Sequence, residues 1–309
     1  MNTEITLKVG PEEKGMRLDI FLLKKLSEQN ISTSRSSIQR WIKEGKVIAK
    51  GSTLFKPHYK IKENDTFKLI LKKENNLHKV LPENIPLKII YEDEAFAIID
   101  KPQGLVVHPG AGNPQHTLVN ALLYHFKQLS QIDPQRPGIV HRLDKETSGV
   151  MVIAKDDATH RNLIQQFARH LVKKEYLAII KGCIEFDQDV LELPIGRNSH
   201  DRKKLKVDFN KTSRYAKTEY KTLIRRADAS LVKLIPFTGR THQLRVHLAF
   251  IGHPILGDTK YGRDKSFARL ALHAYKLGFI HPKENKFVEF VSEIPREFLN
   301  YFGLKELKT

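Results

Sequence analysis

Residues 138–155 read GIVHRLDKETSGVMVIAK. The stretch joins two unlike halves. GVMVIAK is an apolar, β-branched-rich run of strand length. The half before it is polar and basic, and seats Asp144 between Arg142 and Lys145, with Thr147, Ser148 and Gly149 suited to a tight turn. Turns at strand ends are where scaffolds commonly display reactive groups, and flanking cations favour an ionised carboxylate. A structural Asp that merely caps the turn would explain this segment equally well.

Around it, strand and helix signals mix without a regular βαβ alternation. LKIIYED, AFAIID, YLAIIKG and ASLVKLIPF are further apolar runs of strand length. HTLVNALLYHF, DDATHRNLIQQFARHL and THQLRVHLAFIG have helical spacing. In the second, Leu163, Phe167 and Leu171 recur at i+4 steps. In the third, Leu244, Leu248 and Ile251 share a face before Gly252 and Pro254. The pattern predicts an α+β domain with a mainly antiparallel mixed sheet and flanking helices.

Residues 14–70 read as a separate small α/β module. Leu18, Leu22 and Leu26 mark one amphipathic helix, and Ile38, Trp41 and Ile42 a second, with a Ser or Thr N-cap near 32–34 and a stop at Gly45. The opposite face of the second helix presents Arg35, Arg40 and Lys43. Strand-like pieces follow at KVIA and DTFKLIL. The stretch 72–86 loses periodicity and holds two prolines, as a linker does. The expected organisation is therefore a small domain over 14–76, a linker over 77–86 and a large domain over 87–309.

The charge names the class of partner. The 309 residues contain 53 Lys and Arg against 35 Asp and Glu, a formal net charge of +18. Such an excess attracts polyanions, nucleic acid first. Residues 1–76 contribute +7 and the remainder +11, so both pieces face the same polyanion. No apolar run approaches the roughly 20 residues needed to span a bilayer, and the N-terminus lacks the apolar core of a signal peptide. Cys183 is the single cysteine, which excludes an internal disulfide and fits a reducing compartment; a cytoplasmic protein is expected.

A second rich segment is TGRTHQLRVH, residues 238–247. Arg240 and Arg245 flank Thr241, His242 and Gln243 at a helix start. That suits a phosphate or a carboxylate, and a guanidinium fork would hold a catalytic carboxylate bidentately. His242, His247 and His253 crowd the same region, but gaps of five and six do not match a helical zinc pair, and no HExxH is present. No metal is expected. His108 and His141 read as structural or RNA-contacting. Tyr176 opens a strand after two lysines, a setting that suits either an aromatic stacking on a nucleobase or a tyrosine of the core or its rim. Residues 199–217, SHDRKKLKVDFNKTSRYAK, carry seven basic side chains against two acidic ones, Arg202, Lys203 and Lys204 among them. They read as a phosphate-contacting strip or a basic loop. GxxxxGK[ST], GxGxxG and GxSxG are missing, so no nucleotide cofactor is expected.

Together these segments resemble the RluA/RluD family of RNA pseudouridine synthases, over nearly the whole chain. GIVHRLDKETSGVMVIAK is similar to the family's central motif, which implies Asp144 as catalytic residue. KEYLAIIKG matches its Lys-x-Tyr-x-Ala segment and implies Tyr176 as the tyrosine that stacks on the base and assists the last proton removal. TGRTHQLRVHLAFIGHPILGDTKYG matches its third motif and implies that Arg245 pairs with Asp144. AIIDKPQGLVVHPG and RLALHA match two further segments. The basic strip departs from the family's Lys-Met, reading Arg202-Lys203-Lys204-Leu205. Residues 14–70 resemble an S4 RNA-binding domain, and the whole is most similar to the RluD-like subgroup acting on large-subunit ribosomal RNA. The resemblance implies a monomeric enzyme without cofactor, metal or membrane that isomerises flipped-out uridines in that RNA. Asp144 then attacks the ribose or removes a sugar proton, Arg142 fills the gap left by the base, and Arg240 and His242 contact RNA. A noncatalytic ribosome-assembly factor and a glycoside-cleaving enzyme are the competing readings, the latter weakened because only one carboxylate stands out.

Overall fold

The computed structural model describes residues 2–29, 31, 33, 35–49, 52–53, 56–72, 80–110, 112–199, 201, 204–263 and 266–307. The chain forms two compact units, Met1–His78 and Lys79–Thr309.

In the first unit, strands β1 (Asn2–Lys8), β2 (Val47–Ala49), β3 (Ser52–Thr53) and β4 (Thr66–Lys72) form an antiparallel sheet in the order β1-β4-β2-β3. Helices α1 (Leu18–Glu28) and α2 (Arg35–Lys43) lie between β1 and β2 in sequence. The i, i+4 spacing does what it predicts: Leu18, Phe21, Leu22 and Leu26 of α1 are fully buried with Ile38 and Ile42 of α2 and Phe67 and Leu69 of β4. Gly45, at φ 73°, ends α2 in the left-handed conformation that a Cβ disfavours. Of the expected N-cap positions, 32 and 34 lie outside the described residues.

Asp19 ties the two helices. Its buried carboxylate accepts from Arg17 (3.0 Å), Arg35 (3.0 Å) and Gln39 (2.7 Å). Burial alone would raise its pKa, but these donors outweigh it and lower the value to about 2. Arg35 is thus partly committed to the fold. Arg40 and Lys43 project from the exposed face, Arg40 reaching Glu44 at 4.0 Å.

Residues 77–79 of the expected linker lie outside the described residues. From Leu81 the chain is tied to the second unit. Asn120 donates to the Leu81 carbonyl at 2.8 Å, and the Glu83 N–H donates to the Asn120 carbonyl at 3.0 Å.

The second unit is built on strands β5 (Lys88–Glu92), β6 (Phe96–Lys101), β7 (Ser148–Ala154), β8 (Lys173–Lys181), β9 (Gln188–Glu192), β10 (Ile195–Arg197), β11 (Leu205–Val207), β12 (Lys217–Arg225), β13 (Ala229–Pro236), β14 (Leu272–Ile280) and β15 (Phe287–Val291). Its helices are α3 (Leu118–His125), α4 (Asp157–Ala168), α5 (Gln243–Phe250) and α6 (Arg296–Phe302). Nine strands form one sheet in the order β5-β6-β7-β14-β8-β13-β12-β9, with β15 on β14; β10 and β11 form a separate hairpin. Every pairing in the large sheet is antiparallel except β7–β14. The expected α+β architecture with a mixed, mainly antiparallel sheet is therefore present.

Apolar cores explain the unbroken strand sequences. All seven residues of β7 are buried, and Phe96, Ile98, Met151 and Val152 pack with Leu118 and Leu122 of α3 and Leu163 of α4. Leu177, Ile179, Leu231 and Val232 form another core with Leu244 and Leu248 of α5 and Phe298 of α6. Burying each such side chain stabilises by about 1.5–3 kcal/mol. Gly149 allows β7 to approach β14: at φ 117° an added Cβ would sit 2.1 Å from the Ala274 carbonyl oxygen. This contact sets the loop before β7 beside the middle of the sheet. No helix among the described residues is long and apolar enough to cross a membrane.

Candidate active site

The loop preceding β7 is held from below. Lys101 ends β6 and is fully buried. Its ammonium donates to the carbonyls of Pro102 (2.8 Å), Leu105 (2.9 Å) and Lys145 (3.1 Å). Burial pushes Lys101 down to about 8, against the attraction of Glu146 and Asp144. The Thr147 N–H donates to the Asp144 carbonyl at 3.1 Å and closes the turn. Asp144 is thereby presented into a cavity of about 630 Å³.

That cavity gathers residues distant in sequence: Val140–Asp144 of the loop, Lys174 and Tyr176 of β8, Pro236 at the end of β13, Thr238–Arg245, and Leu272 of β14. The three residues expected to be catalytic, Asp144, Tyr176 and Arg245, all line it, as do Arg142, Arg240 and His242. Tyr176 is half-buried, and desolvation, with the Asp144 charge second, raises its pKa so that the phenol stays protonated. Burial pushes Lys174 down to about 8.

The start of α5 is fixed by Gln243, whose role the sequence reading missed. Its buried amide oxygen accepts from Thr238 (2.7 Å) and from the Arg240 N–H (3.0 Å). Its nitrogen donates to the Lys217 carbonyl (3.0 Å) and to Thr218 (2.9 Å). Just before the helix, His242 sits at φ 54°, a left-handed conformation uncommon outside glycine.

Arg245 is buried and meets two carboxylates. Its Nη1 donates to Asp144 Oδ2 at 3.3 Å, so the expected pairing is present. The fork, however, is spent elsewhere: Nε and Nη2 donate to Asp258 Oδ2 and Oδ1 at 2.7 and 2.8 Å. The expectation that the guanidinium holds Asp144 bidentately is corrected accordingly. Asp258 Oδ1 also accepts the N–H groups of Lys260 and Tyr261, a geometry only the folded turn supplies. Burial opposes both charges, yet the mutual hydrogen bonds raise the pKa of Arg245 and lower that of Asp258. The guanidinium also lies 5.2 Å from the Tyr261 ring centre.

His247, His253 and His141 are committed to protein partners. His247 contacts Thr218 Oγ1 (3.1 Å) and the Leu193 carbonyl (2.9 Å), and His253 the Lys181 carbonyl (2.9 Å). His141 Nε2 accepts the Val152 N–H, and burial pushes the ring down to about 3. Burial pushes His108 down to about 4. Among the described residues no three His, Cys, Asp or Glu side chains converge as a metal site.

Arg142 is exposed at the cavity rim, and Arg240 donates through Nε to the Tyr215 carbonyl at 2.9 Å. Lys204 lies in the β10–β11 connection, and its carbonyl accepts the Asn198 N–H. Arg202 and Lys203 lie outside the described residues. Arg35, Arg40 and Lys43 belong to the first unit.

Comparison with known proteins identifies the family. The RNA pseudouridylate synthase family matches residues 95–250, the span carrying Asp144, Tyr176 and Arg245. The chain is 44% identical to an RNA pseudouridine synthase of Aquifex aeolicus, covering 98% of this chain and 97% of that one. It is 41% identical to the ribosomal large subunit pseudouridine synthase D of Zymomonas mobilis, covering 94% of each. Among solved structures, human RNA pseudouridylate synthase domain containing 4 superposes with a TM-score of 0.57 at 29% identity, over 72% of this chain and 95% of that one. The chain belongs to the RNA pseudouridylate synthase family, of the RluA/RluD type, and is an isomerase.

Proposed function

We propose that this pseudouridine synthase isomerises specific uridines of large-subunit ribosomal RNA, with Asp144 as its catalytic carboxylate. The observation that carries the reading is the meeting of Asp144, Arg245 and Tyr176 in one cavity from three separate parts of the chain. The relatives named for the ribosomal large subunit, similar along nearly their whole length, support the choice of RNA.

The reaction breaks the N1–C1′ bond of uridine, turns the base and joins C5 to C1′; the C5 proton is lost and N1 regains one, so no atom is gained. The target nucleotide leaves its stack, which costs a few kcal/mol that phosphate contacts offset. Asp144 acts on the ribose, at C1′ or on a sugar proton. Arg245 orients it and balances the charge that an RNA phosphate backbone disfavours. Tyr176 stacks on the flipped base and assists removal of the C5 proton. Arg142, exposed at the rim, occupies the gap left in the RNA. Arg240, His242, Lys204, Arg202 and Lys203 contact RNA around the cavity. No metal or cofactor takes part.

The first unit acts as an S4 RNA-binding domain, with Arg35, Arg40 and Lys43 towards phosphate; its shared net positive charge supports this. On this reading the first unit, Met1–His78, binds RNA and the second, Lys79–Thr309, carries the chemistry, and the protein works as a monomer in the cytoplasm. The test is to incubate the purified chain with large-subunit rRNA transcripts and map pseudouridine. Discrete pseudouridines without free uracil are expected. RNA binding without conversion would favour an assembly factor, and release of uracil a glycoside-cleaving enzyme.

A further inference from the structure

Among the described histidines of the second unit, His242 stands apart because its ring faces the Asp144 carboxylate. Nδ1 is 2.8 Å from the Tyr261 hydroxyl, and Nε2 is 3.8 Å from Asp144 Oδ2. The Tyr261 oxygen already accepts the backbone N–H of Leu205 at 3.1 Å. Among the described residues the hydroxyl hydrogen then has His242 Nδ1 as its acceptor. We assign the tautomer in which Nδ1 accepts from that hydroxyl and the ring proton sits on Nε2, facing Asp144. The charged groups around the ring are Asp144, Arg245, Lys260 and Asp258. Burial, with the two cations, outweighs the carboxylates and lowers the histidine's pKa, so the ring is neutral at pH 7.

A donor and an acceptor 3.8 Å apart are too far for a direct hydrogen bond. They can share one hydroxyl seated to the side of both: an oxygen about 2.8–2.9 Å from each atom accepts from Nε2–H and donates to the carboxylate. We propose that His242 and Asp144 bracket the ribose 2′-hydroxyl of the target nucleotide, making His242 the residue that distinguishes RNA from DNA at this site. The 2′-hydroxyl is both donor and acceptor, and is what tells the two sugars apart. The bracket holds the sugar against Asp144 whichever ribose atom the carboxylate addresses. The left-handed backbone at His242 and the fixed start of α5 hold the ring where a freer loop would not.

This inference rests on the proposed isomerase reading, and the experiment separates the two. Once wild-type enzyme has located a target uridine, RNA oligonucleotides carrying uridine or 2′-deoxyuridine at that position are titrated against full-length protein. Asp144→Asn is present throughout, so bound RNA stays unconverted while an accepting oxygen is kept. With His242 intact, ribose is expected to bind about fivefold tighter than deoxyribose, the worth of one neutral hydrogen bond. With His242→Ala the ratio should fall at least twofold, because the hydroxyl then keeps only the acceptor at position 144. Tyr261→Phe, which frees the tautomer, should reduce the ratio at least twofold and covers the case in which the histidine variant fails to fold. An unchanged ratio in whichever variant folds, or no ribose preference with His242 present, overturns the proposal. Failure of wild-type enzyme to form pseudouridine in any transcript would instead sink the parent reading.

Discussion

Asp258 takes both arms of the Arg245 fork, at 2.7 and 2.8 Å, and leaves the third nitrogen to reach Asp144 at 3.3 Å. The relationship orders the site. Asp258, 1% exposed and fixed by two backbone N–H groups, anchors the guanidinium; the guanidinium then offers Asp144 a single, directed donor. A strong pair lies behind and a weaker contact in front, so Arg245 engages only one of the two Asp144 oxygens.

Substitutions on the pair should separate anchoring from charge. Removing one partner of a buried ion pair commonly costs about 3–5 kcal/mol, because the other charge is stranded. Asp258→Ala is expected to lower unfolding stability by about that amount and to abolish activity. Arg245→Lys keeps the charge but cannot span both Asp258 oxygens and Asp144, so activity should fall at least about a hundredfold, some 2.7 kcal/mol of barrier. Denaturant titration and single-turnover rates check both. Normal turnover by Arg245→Lys would refute the geometry.

A buried neutral histidine predicts acid sensitivity. His273 is 2% exposed, its Nδ1 lies 2.9 Å from Ser148 Oγ, and burial, then the Arg269 charge, push it from 6.5 to about 3. Between those values the unfolded chain binds a proton that the folded chain refuses. This contribution is therefore fully present above pH 6.5 and is lost as the pH falls towards 3. The expected slope is about 1.4 kcal/mol per pH unit. His273→Asn retains an acceptor for Ser148 without titrating, so its stability should fall less steeply from pH 6 to 4 by that amount. Identical slopes in denaturant titrations would show that the ring is protonated in the fold.

Phosphate contacts by the first unit should appear in the salt dependence. Arg35 is tied to Asp19, so the clean variant is the double substitution Arg40→Ala and Lys43→Ala on the exposed face of α2. Each lost phosphate contact should flatten the log–log salt slope by about 0.7–0.9. The variant should need more RNA for half-maximal rate and reach the same rate at saturation. Unchanged affinity and slope at two salt concentrations would mean that α2 does not face this RNA.

Much of this was legible in the chain. Asp144, Tyr176 and Arg245 are singled out by the family resemblance of their segments rather than by residue type alone, and the three line one cavity. Strands β6, β7, β13 and the second half of β8 are buried and show as apolar runs, whereas β14, also largely buried, does not read as a strand. Strands β5 and β9 are largely exposed, and the short β10 and β11 flank a charged connection, so only β5 shows an apolar run. The destination of the Arg245 fork was not legible. Asp258 lies 13 residues away in a turn, and nothing in its spacing sets it apart from a capping residue. Lys101 escaped for a similar reason: a lysine at a strand end reads as exposed, and only the fold supplies three carbonyls around it.

The central claim is that Asp144 performs the chemistry, and one substitution tests it most directly. Asp144→Asn keeps shape and most contact area, so RNA affinity should stay within about twofold, well under 1 kcal/mol. Pseudouridine formation at saturating rRNA transcript should fall by several orders of magnitude, as removal of an essential catalytic group does. Single-turnover conversion by the Asn variant within about tenfold of wild type would contradict the assignment.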